Sequence, residues 1–195
     1  MAVQGAKAEL RAGRLTARDA IPVAERIEKS LQLADHGLAA LQFEPGTVIS
    51  GFLPIRSEMD LRPLMAGLRG RGARICVPVI LDKQQIVFRE LVPGAPLVDC
   101  GFGTMAPGPE AEVLDPDIML VPLSAFDARG QRIGYGGGYY DRAIARLHAL
   151  GRRPQLIGIA FDCQEVASVP TEPHDIGLQA LLSESGLRIF DTQIG

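Results

Sequence analysis

The segment RIGYGGGYYDR, residues 132–142, combines four glycines with two arginines, three tyrosines and one aspartate. Because glycines lack a Cβ, their backbone can approach a ligand closely and direct several N–H groups at one point. If the segment leads into a helix, the helix N-terminus adds partial positive charge, and the combination favours an anion, most often a phosphate. Arg132 can clamp phosphate oxygens in two places. Asp141 can either cap the helix or hold a metal ion that phosphates also contact.

The same segment has a simpler interpretation, which is a flexible hairpin followed by a helix anchored by its tyrosines. Two familiar phosphate-binding motifs are excluded. No GK[ST] follows the glycines, so the segment is not a Walker A loop. The dinucleotide-binding pattern fails because Tyr139 occupies the position of its last glycine. We therefore favour a phosphate site of another kind.

The elements that must position this segment predict an α/β fold. Short apolar runs, which suit buried strands, alternate with helical patterns, as in a parallel βαβ unit. We predict strands over 47–52, 74–80, 86–91, 117–123 and 155–161, and helices over 61–72 and 139–150. On the second of these helices, Tyr140, Ile144 and Leu147 share one face. The expected fold is three-layer α/β/α with a mostly parallel central sheet.

In such sheets, sites form at the carboxyl ends of the strands. The glycine-rich segment follows one predicted strand and precedes a helix, so we expect it at that edge. The N-terminal region is predicted to hold a short helix over 6–15 and a second from Thr16 to Gly37, with an inward face of Val23, Ile27, Leu31 and Ala34. Pro22 is the alternative start of the second helix. Residues 176–190 are expected to add a short helix or strand and an edge strand.

Composition limits the class of protein. The 195 residues suffice for one domain, taken as 1–195, and 47% apolar residues with 22% charged are ordinary for a globular protein. A net charge of −3 gives no general attraction to nucleic acid or to an anionic membrane. Three distant cysteines fit neither a zinc site nor a disulfide framework. The first residues do not resemble a signal peptide, and no apolar run suits a membrane helix. We expect a cytoplasmic monomer.

A wider segment resembles a known family. AFDARGQRIGYGGGYYDR, residues 125–142, closely resembles the signature of 5-formyltetrahydrofolate cyclo-ligase, also called methenyltetrahydrofolate synthetase. That signature is long and specific. Three shorter elements agree with the family, namely KAELR at 7–11, SEMD at 57–60 and VPTEPHD at 169–175. The resemblance covers nearly the whole chain and implies the same α/β/α fold.

The resemblance implies an ATP- and Mg²⁺-dependent ligase of one-carbon metabolism. Such an enzyme converts 5-formyltetrahydrofolate to 5,10-methenyltetrahydrofolate and releases ADP and phosphate. ATP would phosphorylate the formyl oxygen, which is otherwise a poor leaving group, and the folate N10 would then attack that carbon. A phosphoryl step of this kind needs positioned positive charge more than a covalent group from the protein.

The resemblance also implies roles for individual residues. Lys7 and Arg132 would act in catalysis and, with Arg11, would hold the ATP phosphates. The backbone of the glycine-rich segment would bind the same phosphates through Gly134, Tyr135, Gly136, Gly137, Gly138, Tyr139 and Tyr140. Asp141 and Asp175 would bind magnesium. The folate would be fixed by Glu58 in a pocket lined by Leu53, Tyr135 and Tyr139.

Taken alone, some of these positions have other interpretations. Lys7 and Arg11 lie four apart on a helix, which is typical of a solvated face, and Glu58 can cap the following helix. The chain also departs from the family at Leu123, where glycine is common, and at Ala106, where glutamate is common. These departures leave two alternatives open, namely a non-catalytic paralogue that binds folate or nucleotide, and a phosphoryl-transfer enzyme with another acyl substrate.

Overall fold

The computed structural model describes residues 2–100, 104–172 and 175–190. Its helices are α1 Ala2–Asp19, α2 Val23–Ala40, α3 Arg62–Gly70 and α4 Tyr139–Ala149, with a 3₁₀ turn at Asp162–Gln164. Its strands are β1 Val48–Ser50, β2 Arg74–Ile80, β3 Ile86–Glu90, β4 Leu97–Asp99, β5 Met105–Pro107, β6 Ile118–Pro122, β7 Ala125–Phe126, β8 Arg132–Ile133, β9 Gln155–Ile159, β10 Ala180–Ser183 and β11 Gly186–Ile189.

A seven-stranded sheet forms the centre of the fold, in the order β11-β10-β9-β6-β1-β2-β3. The strands from β10 to β2 run parallel to one another, and the edge strands β3 and β11 are antiparallel to their neighbours. Helices α2 and α3 cover one face of the sheet and α4 covers the other. The predicted α/β/α class with a mostly parallel sheet is therefore confirmed. Two small hairpins, β4–β5 and β7–β8, lie outside this sheet.

Each face of the sheet carries its own apolar core because successive residues of a strand point to opposite faces. On one face, Ile49 of β1 packs with Leu33 of α2 and Leu64 of α3. On the other face, Met119 of β6 packs with Ile144 of α4. Burial on both faces explains why the central strands read as continuous apolar runs in the sequence.

The predicted inward face of α2 is wrong. Val23, Ile27 and Leu31 are 64%, 57% and 49% exposed, and the buried positions of the helix are Ser30, Leu33, Ala34 and Gly37. The reason is a close approach to α3, because a Cβ on Gly37 would lie only 2.8 Å from Leu64 Cδ1. The helix is rotated to bring Gly37 against α3, and apolar periodicity alone does not reveal that contact.

The N-terminal helices also differ from the predicted bounds. α1 continues from the predicted 6–15 to Asp19, so Thr16 lies inside it and donates to the carbonyl oxygen of Ala12 at 3.0 Å instead of capping a second helix. α2 begins after Pro22, the alternative start, since proline suits the beginning of a helix and not its interior. At the other end of the chain, residues 180–189 form the antiparallel β10–β11 hairpin and no helix.

The chain order reverses between β1 and β6. Helix α3 connects β1 to β2 across one face, whereas the β7–β8 hairpin and α4 connect β6 to β9 across the other. The crevice beyond the carboxyl ends of β1 and β6 is thus a topological switch point, where open α/β sheets bind ligands. The loop after β1 and the glycine-rich segment both begin near this crevice. Within the described ranges, no helix has the length and apolar character needed to cross a bilayer.

Candidate active site

The glycine-rich loop, residues 134–138, connects β8 to α4 and is anchored through its carbonyl oxygens. The oxygen of Gly134 accepts hydrogen bonds from Arg11 Nε at 2.8 Å and from Ser124 Oγ at 3.2 Å. The oxygen of Gly137 accepts from Arg142 Nη2 at 2.8 Å, and that of Gly138 accepts from the Arg142 amide at 3.1 Å. These contacts use the acceptors of the loop and leave its donors for other partners.

The amides of the loop have no partner among the described residues. No backbone N–H from Gly134 to Tyr140 donates to another described group. The last of these amides belong to the first turn of α4, where a helix supplies no internal acceptor. A row of unpaired amides at a helix N-terminus is the anion-binding geometry predicted from the sequence.

Two positions in the loop require glycine. Gly136 and Gly138 have φ values of +97° and +65°, a region that side chains other than glycine rarely adopt. A Cβ on Gly138 would also lie 2.7 Å from Arg142 Nη1. A Cβ on Gly136 would lie 3.6 Å from the guanidinium carbon of Arg11, so that arginine covers the bare backbone of the loop.

Arg132 lies at the base of the loop with a side chain that is only 5% exposed. Its Nη2 donates to Asp141 Oδ1 at 2.7 Å, and its Nη1 donates to the carbonyl oxygen of Ile176. Arg132 thus contacts the Asp141 carboxylate directly and the backbone one residue after Asp175, the other residue predicted to bind magnesium. Asp141 is the more exposed member of this ion pair, and it contributes to the wall of a cavity described below.

Four cations, Lys7, Arg11, Arg14 and Arg18, form a stripe along α1. Spacings of four, three and four residues place them on one side of the helix. Each donates to a different part of the fold, with Arg14 reaching the carbonyl oxygen of Cys163 at 3.1 Å. α1 therefore docks over the site mainly through polar contacts. Sequence analysis identified only the first two cations, although the continued spacing was a signal for the others.

Lys7 is a buried ion-pairing residue and does not lie on a solvated face. It is 7% exposed, and its Nζ contacts Asp175 Oδ2 at 2.6 Å and Glu172 Oε2 at 3.0 Å. Burial by itself acts to lower the pKa of Lys7, but hydrogen bonds and charges from Asp175 and Glu172 outweigh it and leave the pKa above its usual value. Lys7 is therefore a permanent cation at neutral pH. Residues 173 and 174 of the predicted 169–175 element lie outside the described residues.

Glu58 lies in the loop after β1 and does not cap α3. Its Oε2 accepts from the Ile55 amide at 2.9 Å, whereas Asp60 accepts from the Arg62 amide at the start of α3 at 3.0 Å. Burial raises the pKa of Glu58, and the Ile55 amide, the Tyr135 phenol and nearby arginines oppose that rise. A carboxyl group perturbed in this way on a cavity wall is a candidate for a functional site.

A cavity of about 380 Å³ joins these groups. Its size is that of a small-molecule site. Of the residues predicted from the sequence, it is lined by Leu53, Glu58, Arg132, Gly134, Tyr135, Gly137, Gly138, Tyr139, Tyr140 and Asp141. Lys7, Arg11, Gly136 and Asp175 are not on its wall and lie with α1 and the ion pairs around the loop.

The cavity also has a wall that sequence analysis did not identify. This wall is formed by Phe52, Ile55, Pro78, Ile80, Ile86, Thr104 and Pro122. Most of these are apolar residues in or next to strands, and such residues are indistinguishable from core positions in a single sequence. Tyr140 combines both roles, since it lines the cavity while its ring packs edge-on against Phe88 at a centroid distance of 6.3 Å.

Comparisons with known proteins identify the family of the chain. The model of the 5-formyltetrahydrofolate cyclo-ligase family matches residues 3–184. The chain belongs to this family. The 5-formyltetrahydrofolate cyclo-ligase of Mycolicibacterium smegmatis is 31% identical over 186 residues, covering 91% of this chain and 93% of the relative. That of Escherichia coli K12 is 33% identical over 143 residues, covering 70% and 78% of the two chains. The solved 5,10-methenyltetrahydrofolate synthetase of Aquifex aeolicus is 28% identical, with a TM-score of 0.80 over 97% of this chain and 95% of that one.

The two departures from the cyclo-ligase family are both buried. Leu123 is 1% exposed and packs near Gly158, where an added Cβ would meet Leu123 Cδ2 at 2.9 Å. Its carbonyl oxygen accepts from Gln164 Nε2 at 2.9 Å. Ala106 is 1% exposed in β5, opposite Val98. Neither side chain lines the 380 Å³ cavity, so the packing at these positions does not favour the non-catalytic alternative.

Proposed function

We propose that this cyclo-ligase family member converts 5-formyltetrahydrofolate to 5,10-methenyltetrahydrofolate with ATP. The observation that carries the proposal is one cavity of about 380 Å³ that is lined by the glycine-rich loop, by Arg132 and by Glu58. The loop amides have no hydrogen-bond partner among the described residues. The loop and Arg132 suit a phosphate, and Glu58 suits the polar N–H groups of a folate ring. The reaction requires both ligands at one place, because the phosphoryl group must reach the formyl oxygen.

The groups on the chain fit a nucleotide triphosphate. Amides of the glycine-rich loop, the α4 N-terminus and Arg132 provide donors that cost no reorganisation when charge develops. Arg11 uses Nε to hold Gly134, and its two terminal nitrogens have no partner among the described residues. Bound ATP supplies the phosphoryl group, and these residues position it and balance its charge. Lys7 carries the further positive charge from α1.

A magnesium ion also fits the donor chemistry. Mg²⁺ usually binds through one or two carboxylates together with substrate phosphates. Asp141 and Asp175 provide such oxygens, although Asp141 is paired with Arg132 at 2.7 Å and Asp175 with Lys7 at 2.6 Å. In the part of the chain that the structure describes, no three histidine, cysteine or acidic side chains converge as a metal site. We therefore expect the ion to bind with the nucleotide and not before it.

The test of the proposed function is an absorbance assay. Purified protein mixed with 5-formyltetrahydrofolate, ATP and Mg²⁺ should raise the near-ultraviolet absorbance as the methenyl product forms. Omission of ATP should abolish the rise. A folded sample that gives no rise under these conditions would contradict the proposal.

Replacement of Asp141 by asparagine should shift the magnesium dependence. The loss of one carboxylate should raise the Mg²⁺ concentration for half-maximal activity by roughly tenfold or more, since even indirect ligand partners are worth that much. Asp115→Asn is the matched control, because Asp115 pairs with Arg146 of the same helix at 2.8 Å outside the cavity. If the two variants have the same Mg²⁺ titration, Asp141 serves only as the partner of Arg132.

Replacement of Glu58 by glutamine should weaken the binding of folate and leave the binding of ATP unchanged. We expect the KM for 5-formyltetrahydrofolate to rise about 10- to 100-fold, which corresponds to loss of a hydrogen bond to a charged group. In the wild type, kcat/KM for folate should fall as the pH drops through the pKa of Glu58, which burial raises above the usual value of about 4.3. Glu58→Gln should lose this acid limb. The exposed residue Glu28 provides the control variant Glu28→Gln, and an acid limb that persists in Glu58→Gln would assign it to another group.

A further inference from the structure

Arg18 is a buried cation with no carboxylate partner among the described residues. It lies in the last turn of α1 and is 2% exposed. Its Nε donates to Ser57 Oγ at 2.9 Å, and its Nη1 donates to Tyr135 Oη at 2.5 Å. Burial of a charge that is held only by hydroxyl groups is unfavourable by itself. An aliphatic residue would fill the same space, so the guanidinium calls for a reason in the site.

The direction of the hydrogen bonds supplies that reason. A guanidinium can only donate, so both hydroxyl oxygens act as acceptors toward Arg18. Each hydroxyl must then direct its single proton elsewhere. Ser57 donates to the carboxylate of Asp19. Tyr135 and Glu58 line both the 380 Å³ cavity and a second, smaller cavity next to Arg18. The Tyr135 phenol is also one of the groups that oppose the rise in the Glu58 pKa.

We propose that Arg18 is a positioning residue for folate, which directs the Tyr135 hydroxyl proton toward the Glu58 carboxylate and so keeps that carboxylate ready to accept from the substrate. The inference rests on the proposed function, which places the folate against Glu58 and Tyr135. Arg18 itself lies behind both residues and does not line the 380 Å³ cavity. It acts through them.

A second, very small cavity supports this arrangement. It has a volume of about 10 Å³ and lies between Arg18, Glu58, Tyr135 and Gln164. That volume is close to the space occupied by one water molecule, and the polar groups around it are the partners a buried water needs. The guanidinium carbon also lies 5.7 Å from the centre of the Tyr135 ring, within cation–π range. The ring and its hydroxyl are thus both oriented by Arg18.

The chemistry requires arginine and not merely a positive charge. Arginine presents its donors in a rigid planar fork, whereas lysine is a point charge on a flexible stem. Here the fork spans two loops, because Ser57 belongs to the loop after β1 and Tyr135 to the glycine-rich loop. Both loops contribute residues to the wall of the 380 Å³ cavity, and Arg18 does not line it. Arg18 thereby links the two loops from outside the cavity.

Other charged and titratable groups also face Glu58. Arg56 lies in the same loop as Glu58, and Tyr135 and Tyr140 face it from the glycine-rich loop and α4. Loss of the Arg18 charge should raise the pKa of Glu58 further, because a nearby cation favours the ionised carboxylate. Arg56 is exposed, so its charge is screened by solvent and salt and its removal should have a smaller effect.

The experiment compares Arg18→Met with the matched control Arg14→Met. Arg14 is on the same face of α1, and its one hydrogen-bond partner among the described residues is the Cys163 carbonyl oxygen. Calorimetry without ATP should show that Arg18→Met binds 5-formyltetrahydrofolate about tenfold more weakly. Its acid limb of kcat/KM for folate should move to higher pH, while the KM for ATP stays unchanged. Arg14→Met should show neither effect.

Two further variants test the route through Tyr135. If Arg18 acts through that phenol, Arg18→Met combined with Tyr135→Phe should bind folate no more weakly than Tyr135→Phe alone. Arg18→Lys retains the charge and should show a smaller loss in the same direction, which also provides a test if the methionine variant does not fold.

The inference is overturned if Arg18→Met binds folate as tightly as the wild type. It is also overturned if the variant weakens the binding of folate and the binding of ATP equally, since Arg18 would then only hold α1 in place. The calorimetric comparison needs no turnover, so it decides the role of Arg18 even in a protein that fails to close the folate ring. That failure would contradict the proposed function alone.

Discussion

Replacement of Arg132 by alanine is expected to lower kcat/KM by about 10²- to 10³-fold, equivalent to roughly 2–4 kcal/mol of transition-state stabilisation. The side chain is 5% exposed and is fixed between Asp141 and the carbonyl oxygen of Ile176. It is therefore a preorganised cation at the base of the glycine-rich loop. Water that enters the space of the missing guanidinium cannot replace a positioned charge.

The Arg132 experiment needs controls because the variant also leaves Asp141 without its cation. Arg132→Lys keeps the charge and loses the two-pronged geometry, so it should retain more activity than the alanine variant. Arg71→Ala removes an arginine that bridges the carbonyl oxygens of Leu38 and Leu41 at 2.7 and 3.0 Å, away from the cavity. Steady-state kinetics by the absorbance assay, with thermal melting to check the fold, distinguishes these variants. Activity of Arg132→Ala equal to that of Arg71→Ala would rule out the assigned role.

Replacement of Lys7 by methionine is expected to be the second large loss, on the order of a hundredfold in kcat/KM for ATP. Methionine keeps much of the side-chain volume and removes the cation. The charge of Lys7 is fully present at neutral pH because Asp175 and Glu172 hold its pKa above the usual value against the effect of burial. Among the described residues, Lys7 pairs with Glu172 and Asp175 and does not line the cavity next to Glu58, so the affinity for folate measured without ATP should change little.

The chain offers a close control for Lys7. Lys29 on α2 also pairs with two carboxylates, with Nζ at 2.7 Å from Glu184 and 3.6 Å from Glu25, and its pKa is raised as well, chiefly by its hydrogen bond to Glu184. Lys29→Met should therefore reproduce the loss of a lysine paired with two carboxylates, without the proposed loss of a phosphate contact. If both variants lose activity in parallel with their melting temperatures, Lys7 is structural and does not bind ATP.

The position of α1 connects these predictions. Lys7 holds α1 against Glu172 and Asp175, Arg11 holds it against the glycine-rich loop, and Arg18 holds it against the loop after β1. A helix docked by charged groups depends on each partner more than one docked by an apolar face, because an unpaired partner remains charged. Variants of Lys7, Arg11 and Arg18 should thus differ in which ligand they affect, with ATP affected at Lys7 and folate at Arg18.

The local sequence pattern determined a large part of the secondary structure and of the glycine-rich site. The apolar runs at 74–80 and 117–123 became β2 and β6 because residues buried on both faces of a parallel sheet must be apolar. The glycine-rich segment could be interpreted from its own residues, since backbone freedom at Gly136 and Gly138 is a property of glycine itself. The long 125–142 signature indicated the family, which the comparisons confirm.

Tertiary structure alone decided the remaining features, because they depend on contacts between segments far apart in the chain. The inward face of α2 was set by the contact of Gly37 with Leu64, and not by the apolar spacing of the helix. The cluster of Glu58, Tyr135 and Arg18 contains residues that lie up to 117 positions apart in the sequence. No periodicity encodes such a meeting, because it arises only where the reversal of chain order between β1 and β6 brings the two loops together.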